Sequence, residues 1–400
     1  MQAFEFYSPT KIVFGPGTEQ QVGDQAAAWG ASKVLVVYGG QSAVKSGLLD
    51  RVLASLGAKG LSYETLGGVH PNPRLNLVRE GIRKALEFQA DFLLAVGGGS
   101  VIDTAKAIAD GAANPELDIW DDIWLRKVPL EKALPVGVIL TIPAAGSESS
   151  ESSVLTKDDT LEKRGFSSSF QRPRFAIMNP ELTFTLPPYQ VSCGIVDIMM
   201  HTMDRYFNPV TTNELTDEIA LGLLRTTVRN GRRALEKPGD YQAMSELMWA
   251  GSLSHNGLTG LGGPLDFATH QLGHELSARF DCAHGATLAA MWGSWARYCL
   301  DTNPARFARF GQQVWGLDAA GKTEQEQALA AIEATEDYFR SIAMPTCISE
   351  LLGAAQSPEV LEMLTVGCTF HGQRTIGSFR VLGHEDILAI YNLANHEKPL

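Results

Sequence analysis

Four histidines and one aspartate stand at spacings that suit a bound metal. Asp197 and His201 are i,i+4 neighbours in an otherwise apolar run, so a helix puts both side chains on one face. His270 and His274 repeat that spacing, and His284 follows beyond a break expected near Asp281. An ionisable pair on an apolar helix is costly unless it is paired or bound to something. Three neutral imidazoles with one carboxylate form an N/O donor set that suits Fe²⁺ or Zn²⁺. Any one of these histidines alone reads as a hydrogen-bonded core residue, but the clustering between 270 and 284, added to the Asp/His pair, favours a metal. The peptidase pattern HExxH is absent, because Gln271 follows His270.

A second constellation is made of glycine. Phe92 to Val96 is a short apolar run ended by Gly97-Gly98-Gly99-Ser100, and a helical pattern runs on to Ala113. Strand, glycines and helix N-terminus together suit a pyrophosphate: backbone N–H groups can approach closely, and the helix end carries partial positive charge. The fingerprint GxGxxG is not met, since Ile102 stands where its third glycine would fall. Gly39-Gly40 ends the earlier run Lys33 to Tyr38 in the same way, and two such loops at strand ends raise the case for a nucleotide. No acid follows Gly40 before Asp50, whereas Ser42 and Lys45 do. A carboxylate there would favour a free ribose 2′-hydroxyl, so its absence leans towards NADP(H). The alternative for Ser42 is a plain helix N-cap.

The elements that must position these residues change character along the chain. Up to about residue 187, apolar β-branched runs alternate with helical stretches, one of them expected from about Ser42 to Leu56. That alternation implies a parallel sheet covered on both faces. After Leu186-Pro187-Pro188 helical periodicity dominates. The expectation is an α/β dinucleotide-binding domain with a Rossmann-like parallel sheet over 1–187, and an all-α metal and substrate domain over 188–400. Four hundred residues, 44% apolar and 20% charged, fit such a two-domain globular chain and exclude disorder, collagen and coiled coil. The 33 basic against 45 acidic residues give −12, a surface expected to repel nucleic acid and anionic membrane. Five cysteines without a CxxC pair, and no signal-like or membrane-spanning run, point to the cytoplasm.

Taken in order, Gly97 to Lys106 (GGGSxxDxxK), Asp197-x-x-x-His201, His270-x-x-x-His274 and His284 resemble the iron-containing alcohol dehydrogenases. The resemblance starts at Pro9-Thr10-Lys11-Ile12-Val13-Phe14-Gly15 and takes in Pro71-Asn72-Pro73 and Gly146-Ser147-Glu148-Ser149. It weakens in the last hundred residues, and Thr369 to Gly383 departs from the pattern. Within the family, Tyr38 to Ser42 and Trp249-Ala250-Gly251 look like the NADPH-using butanol dehydrogenase and broad-range aldehyde reductase branch. The resemblance implies a dehydroquinate synthase-like superfold and a homodimer. It implies an NADP(H)-dependent dehydrogenase that interconverts short- to medium-chain alcohols and aldehydes. By it, Asp197, His201, His270 and His284 fall on the metal ligands, and His274 on a proton-relay position. Gly39, Gly40, Ser42, Asn72, Gly97, Gly98, Gly99, Ser100, Asp103, Thr141, Ser147 and Lys163 fall on cofactor contacts. Ala145 stands where relatives often carry threonine. Glu275, next to His274, is expected on a solvated helix face. The rival readings are a glycerol or diol dehydrogenase, a non-enzymatic metal-binding protein, and a dehydroquinate synthase-like lyase. The lyase needs a basic phosphate clamp, yet Arg279 is the one basic residue between Gly251 and Arg297.

Overall fold

A computed structural model describes residues 2–397. Eight strands and fifteen α-helices are assigned among them, with seven short 3₁₀ or π segments besides. Six strands form one all-parallel sheet in the order β1-β8-β5-β4-β2-β3: β1 (Lys11–Phe14), β2 (Lys33–Tyr38), β3 (Ser62–Leu66), β4 (Phe92–Gly97), β5 (Val136–Leu140) and β8 (Phe175–Met178). β6 (Ser152–Thr156) and β7 (Lys163–Ser167) make a separate antiparallel pair. Alternation along the inner strands sorts their side chains into two layers. Leu35, Val37, Leu93 and Ala95 pack with α4 (Leu75–Phe88) and α5 (Gly99–Ala113). Val34, Val36, Phe92 and Leu94 pack with α1 (Val22–Ala28) and α3 (Leu48–Ala58). Burial on both faces explains why these strands read as unbroken apolar runs.

The chain turns from β2 out to β3 and then returns to the other side of β2 to lay down β4. Strand order therefore reverses between β2 and β4, where open α/β sheets bind ligands at their carboxyl ends. Both glycine loops lie at this point. The single helix expected from Ser42 is two pieces, α2 (Ser42–Lys45) and α3, because Gly47 takes a left-handed φ of 70° between them. Gln41 occupies the cap position of α2 with no side-chain cap bond, and Ser42 is exposed, so Ser42 is not the N-cap.

All strands are complete by Met178 among the described residues, and helices carry the rest: α6 (Pro188–Tyr206), α7 (Glu214–Glu236), α8 (Tyr241–His255), α9 (Ala268–Phe280), α10 (His284–Cys299), α11 (Pro304–Phe310), α12 (Glu324–Ser341), α13 (Ile348–Leu352), α14 (Pro358–Cys368) and α15 (His384–Ala394). Pro188 opens α6 at a position whose N–H would have no partner anyway. Two compact units result. The α/β unit holds Tyr7–Leu186 and also Gly239–Ser252, while the helical unit holds Pro187–Pro238, the described residues from Leu253 on, and the described residues up to Phe6. The division is thus not one cut near Pro187. Met248 belongs to the α/β unit's core, and Ser252 Oγ donates to the buried carboxylate of Glu148. No helix among the described residues is long and apolar enough to cross a membrane.

Candidate metal centre and cofactor loop

Three helices of the helical unit meet at the histidines. Asp197 and His201 lie on α6, His270 and His274 on α9, and His284 is the first residue of α10. Two glycines let the helices close up. A Cβ on Gly285 would stand 2.1 Å from the Cys193 carbonyl oxygen on α6, and one on Gly273 would stand 2.9 Å from Thr287 Oγ1 on α10. Asp281, left-handed at φ 52°, ends α9 where the break was expected.

Asp197, His201 and His270 are buried and offer ligand atoms all within 4.8 Å of one another. Asp197 Oδ1 is 3.4 Å from His201 Nε2, 3.8 Å from His284 Nε2 and 3.9 Å from His270 Nε2. Donors about 2.1 Å from a tetrahedral ion stand roughly 3.4 Å apart, so these separations are those of a coordination shell or slightly wider. Burial, and then the neighbouring His255 and His270, hold the His201 imidazole well below its usual pKa. It therefore stays neutral, as a ligand must. His270 Nε2 is buried with no hydrogen-bond partner among the described residues. An orphaned nitrogen beside a carboxylate fits a divalent cation better than an apolar core. His274 is also buried, with its ring 5.3 Å from that of His284 and 6.4 Å from that of His270.

Spacing rules missed several neighbours. Asp204 Oδ2 lies 2.6 Å from His270 Nδ1. Asp266 accepts the backbone N–H of Ala268 at the start of α9, and those of Ser378 and Phe379. Burial, and then the Asp204 charge, push its carboxyl up to about 7. His255 stacks on His201 with centroids 4.0 Å apart. Only Asp204 had a readable signal, being seven residues beyond Asp197 and so on the same helix stripe. Glu275 corrects an expectation: it is buried at 3% exposure, because that side of α9 faces α14. A Cβ on Gly367 of α14 would meet Glu275 Oε2 at 2.1 Å. The divergent stretch Thr369 to Gly383 is tied to α9 through Asp266 and through Arg374 Nη2, which donates to Gln271 Oε1 at 2.7 Å.

In the α/β unit, Gly98 is the extended N-cap of α5, with no side-chain cap bond. Val101 and Ile102 donate their N–H groups to the Gly98 carbonyl, and the N–H groups of Gly99 and Ser100 before them precede the first intrahelical acceptor. A Cβ on Gly97 would strike Val101 at 2.5 Å, one on Gly98 would press Ile142 at 3.2 Å, and one on Gly40 would meet nothing within 4 Å. Gly97 and Gly98 thus let the loop close on Val101 and Ile142, which sets the N-terminus of α5 directly at the end of β4. Gly39, Gly40 and Ser42 follow β2, and Thr141 follows β5 with its N–H on the Gly97 carbonyl. Asp103 on α5 accepts from Ser147 Oγ at 2.6 Å and from the Val154 N–H. Burial raises its pKa, opposed by Lys106 and these hydrogen bonds. Lys163 Nζ donates to Asn72 Oδ1 at 2.9 Å, with Asn72 left-handed at φ 57°. Lys106, which closes the GGGSxxDxxK motif but was given no role from sequence, is fully buried. Its Nζ bonds the carbonyls of Ser147, Ser150 and Ser152, and burial lowers its pKa to about 8.

Comparison with known proteins adds a second line of observation. Residues 9–180 match the family described as iron-containing alcohol dehydrogenase, and 191–395 match the C-terminal region of the Fe-containing alcohol dehydrogenase family. The chain is 39% identical to NADH-dependent butanol dehydrogenase A of Clostridium acetobutylicum, over 98% of this chain and 99% of that one. It is 36% identical to the NADPH-dependent aldehyde reductase YqhD of Escherichia coli, over 94% and 95%. The crystal structure of NADH-dependent butanol dehydrogenase A from Thermotoga maritima superposes with a TM-score of 0.94 at 36% identity, covering 99% of both chains.

Proposed function

Because the chain belongs to the iron-containing alcohol dehydrogenases, an oxidoreductase family, we propose that it interconverts short- to medium-chain primary alcohols and aldehydes, prefers NADP(H), and holds one Fe²⁺ or Zn²⁺ on Asp197, His201, His270 and His284. The observation that carries the metal reading is the donor set itself: three imidazole nitrogens spaced 3.4–3.9 Å from one buried carboxylate oxygen. When bound, the metal supplies a Lewis acid for the carbonyl oxygen and the nicotinamide supplies the hydride. Asp197 brings the one negative charge among the ligands, and His201 stays neutral because burial disfavours its cation. A ring nitrogen of His274 is the candidate to hold and release the alcohol proton, since His274 is buried beside His284. The amides of Gly99 and Ser100 at the start of α5 receive the pyrophosphate. Lys106, fastened to Ser147, Ser150 and Ser152, fixes the loop beside them. Preference for the 2′-phosphate is supported by the loop after β2, where Gly40 leaves open space, Ser42 and Lys45 are exposed, and no acid occurs before Asp50. Four relatives named NADH-dependent are 36–39% identical to the chain and one named NADPH-dependent is 36% identical, so the proposed preference for NADP(H) rests on the loop chemistry alone. Five free cysteines fit a reducing compartment, and we place the enzyme in the cytoplasm.

The test is metal analysis of anaerobically purified protein, with NADPH and NADH oxidation followed across an aldehyde series. Wild type should carry metal and favour NADPH by ~10-fold or more, and His270→Ala should lose metal and activity together. Full metal occupancy in that variant would refute the ligand set; equal kcat/KM with NADH would refute the cofactor preference.

A further inference from the structure

Asp204 stands seven residues beyond Asp197 on α6 and is 1% exposed, directly behind a histidine of the centre. The geometry points to Asp204 as the positioning residue of the metal centre: it holds the proton of His270 on Nδ1 and so presents the Nε2 lone pair to the metal. This inference rests on the proposed ligand set.

A carboxylate only accepts hydrogen bonds, and a neutral imidazole carries one N–H. At 2.6 Å from Asp204 Oδ2, Nδ1 must be the protonated nitrogen of His270. Nε2 is then an acceptor, buried with no hydrogen-bond partner among the described residues and 3.9 Å from Asp197 Oδ1. The other tautomer would set a lone pair against the carboxylate. Both partners are fixed by backbone: the Asp266 N–H donates to the Asp204 carbonyl at 2.9 Å, and Asp266 Oδ1 caps Ala268 at the start of α9. The end of α6 is thereby locked to the turn that carries His270. A carboxylate on the far nitrogen of a ligating imidazole also makes the near nitrogen a stronger donor.

The experiment titrates metal-free full-length protein with Co²⁺ and follows the visible bands, with a competing chelator to read affinity. Thermal melts of each metal-free variant are recorded alongside. Wild type should bind Co²⁺ and His270→Ala should bind it weakly. Asp204→Ala should weaken binding by about 10- to 100-fold and change band intensities. Asp204→Asn, isosteric but uncharged, should fall between Asp204→Ala and wild type; it decides the matter if the alanine variant does not fold. Wild-type affinity and spectrum in a folded Asp204 variant overturn the inference, even if that variant melts earlier, since a merely structural role predicts that pattern. Tight binding by His270→Ala would instead overturn the ligand set beneath it.

Discussion

His274 separates ligation from proton transfer. It shares a helix face with His270, yet its ring is nearer to that of His284, at 5.3 Å against 6.4 Å. His274→Ala should retain most of its metal while turnover drops by ~10² or more, the usual worth of a positioned acid or base. Metal content against kcat checks this, and loss of metal equal to that in His270→Ala would place His274 in the shell. Spacing made Asp197, His201, His270 and His274 legible, because i,i+4 pairs on two helices can be recognised before either helix is placed, whereas His284 was singled out only by its nearness in sequence. Glu275 shows the limit of such reading. Its direction on α9 was inferable, but that α14 covers it depends on packing by residues some ninety positions later, including Gly367. Asp204 was legible in principle by the same periodicity; nothing in sequence said that its partner would be a histidine on α9.

At the scale of elements, the metal centre depends on how closely α10 approaches α6. Gly285 sits one residue after His284, and its missing Cβ is the space taken by the Cys193 backbone. Gly285→Ala must push back backbone rather than a flexible side chain, so we expect a loss of about 1–3 kcal/mol and reduced metal content as His284 moves away. Gly222→Ala on α7 is the contrasting change. Its nearest neighbour is the tip of Arg225 at 3.7 Å, so it should gain up to about 1 kcal/mol in helix propensity and leave the metal alone. Denaturation midpoints with metal analysis read both, and identical behaviour would contradict the packing argument. The sheet strands were readable because burial on both faces writes itself as continuous apolar sequence. The break between α2 and α3 was not, since Gly47 inside a helical pattern signals a stop only through its left-handed backbone.

At the scale of the whole molecule, stability carries the signature of buried charge. Asp110 is fully buried, accepts from Gln171 Nε2 at 2.6 Å, and is pushed up to about 8 by burial, against the pull of Gln171 and Lys106. The folded protein then binds a proton that the unfolded chain releases near pH 4. The stability linked to this group is fully present below pH 4 and is lost as pH rises towards 8. Asp110→Asn removes that slope, so the variant should gain in melting temperature relative to wild type between pH 5 and pH 8. A difference that stays constant over this range would show that Asp110 ionises normally.

The change of texture near Pro187 was plain in sequence, whereas the return of Gly239–Ser252 to the α/β unit was not. That return has a consequence for synthesis on the ribosome. Translation proceeds from the N-terminus, and domains tend to fold as they emerge. Here the sheet is complete with β8, yet Met248 and Ser252, which complete its interior, are separated from it by Pro187–Pro238. The newborn α/β unit therefore waits with an apolar seat and a buried acid, Glu148, both unfilled while that intervening stretch is made. During that interval its apolar seat is open to solvent, and translational pauses between Leu186 and Gly239 would lengthen its exposure.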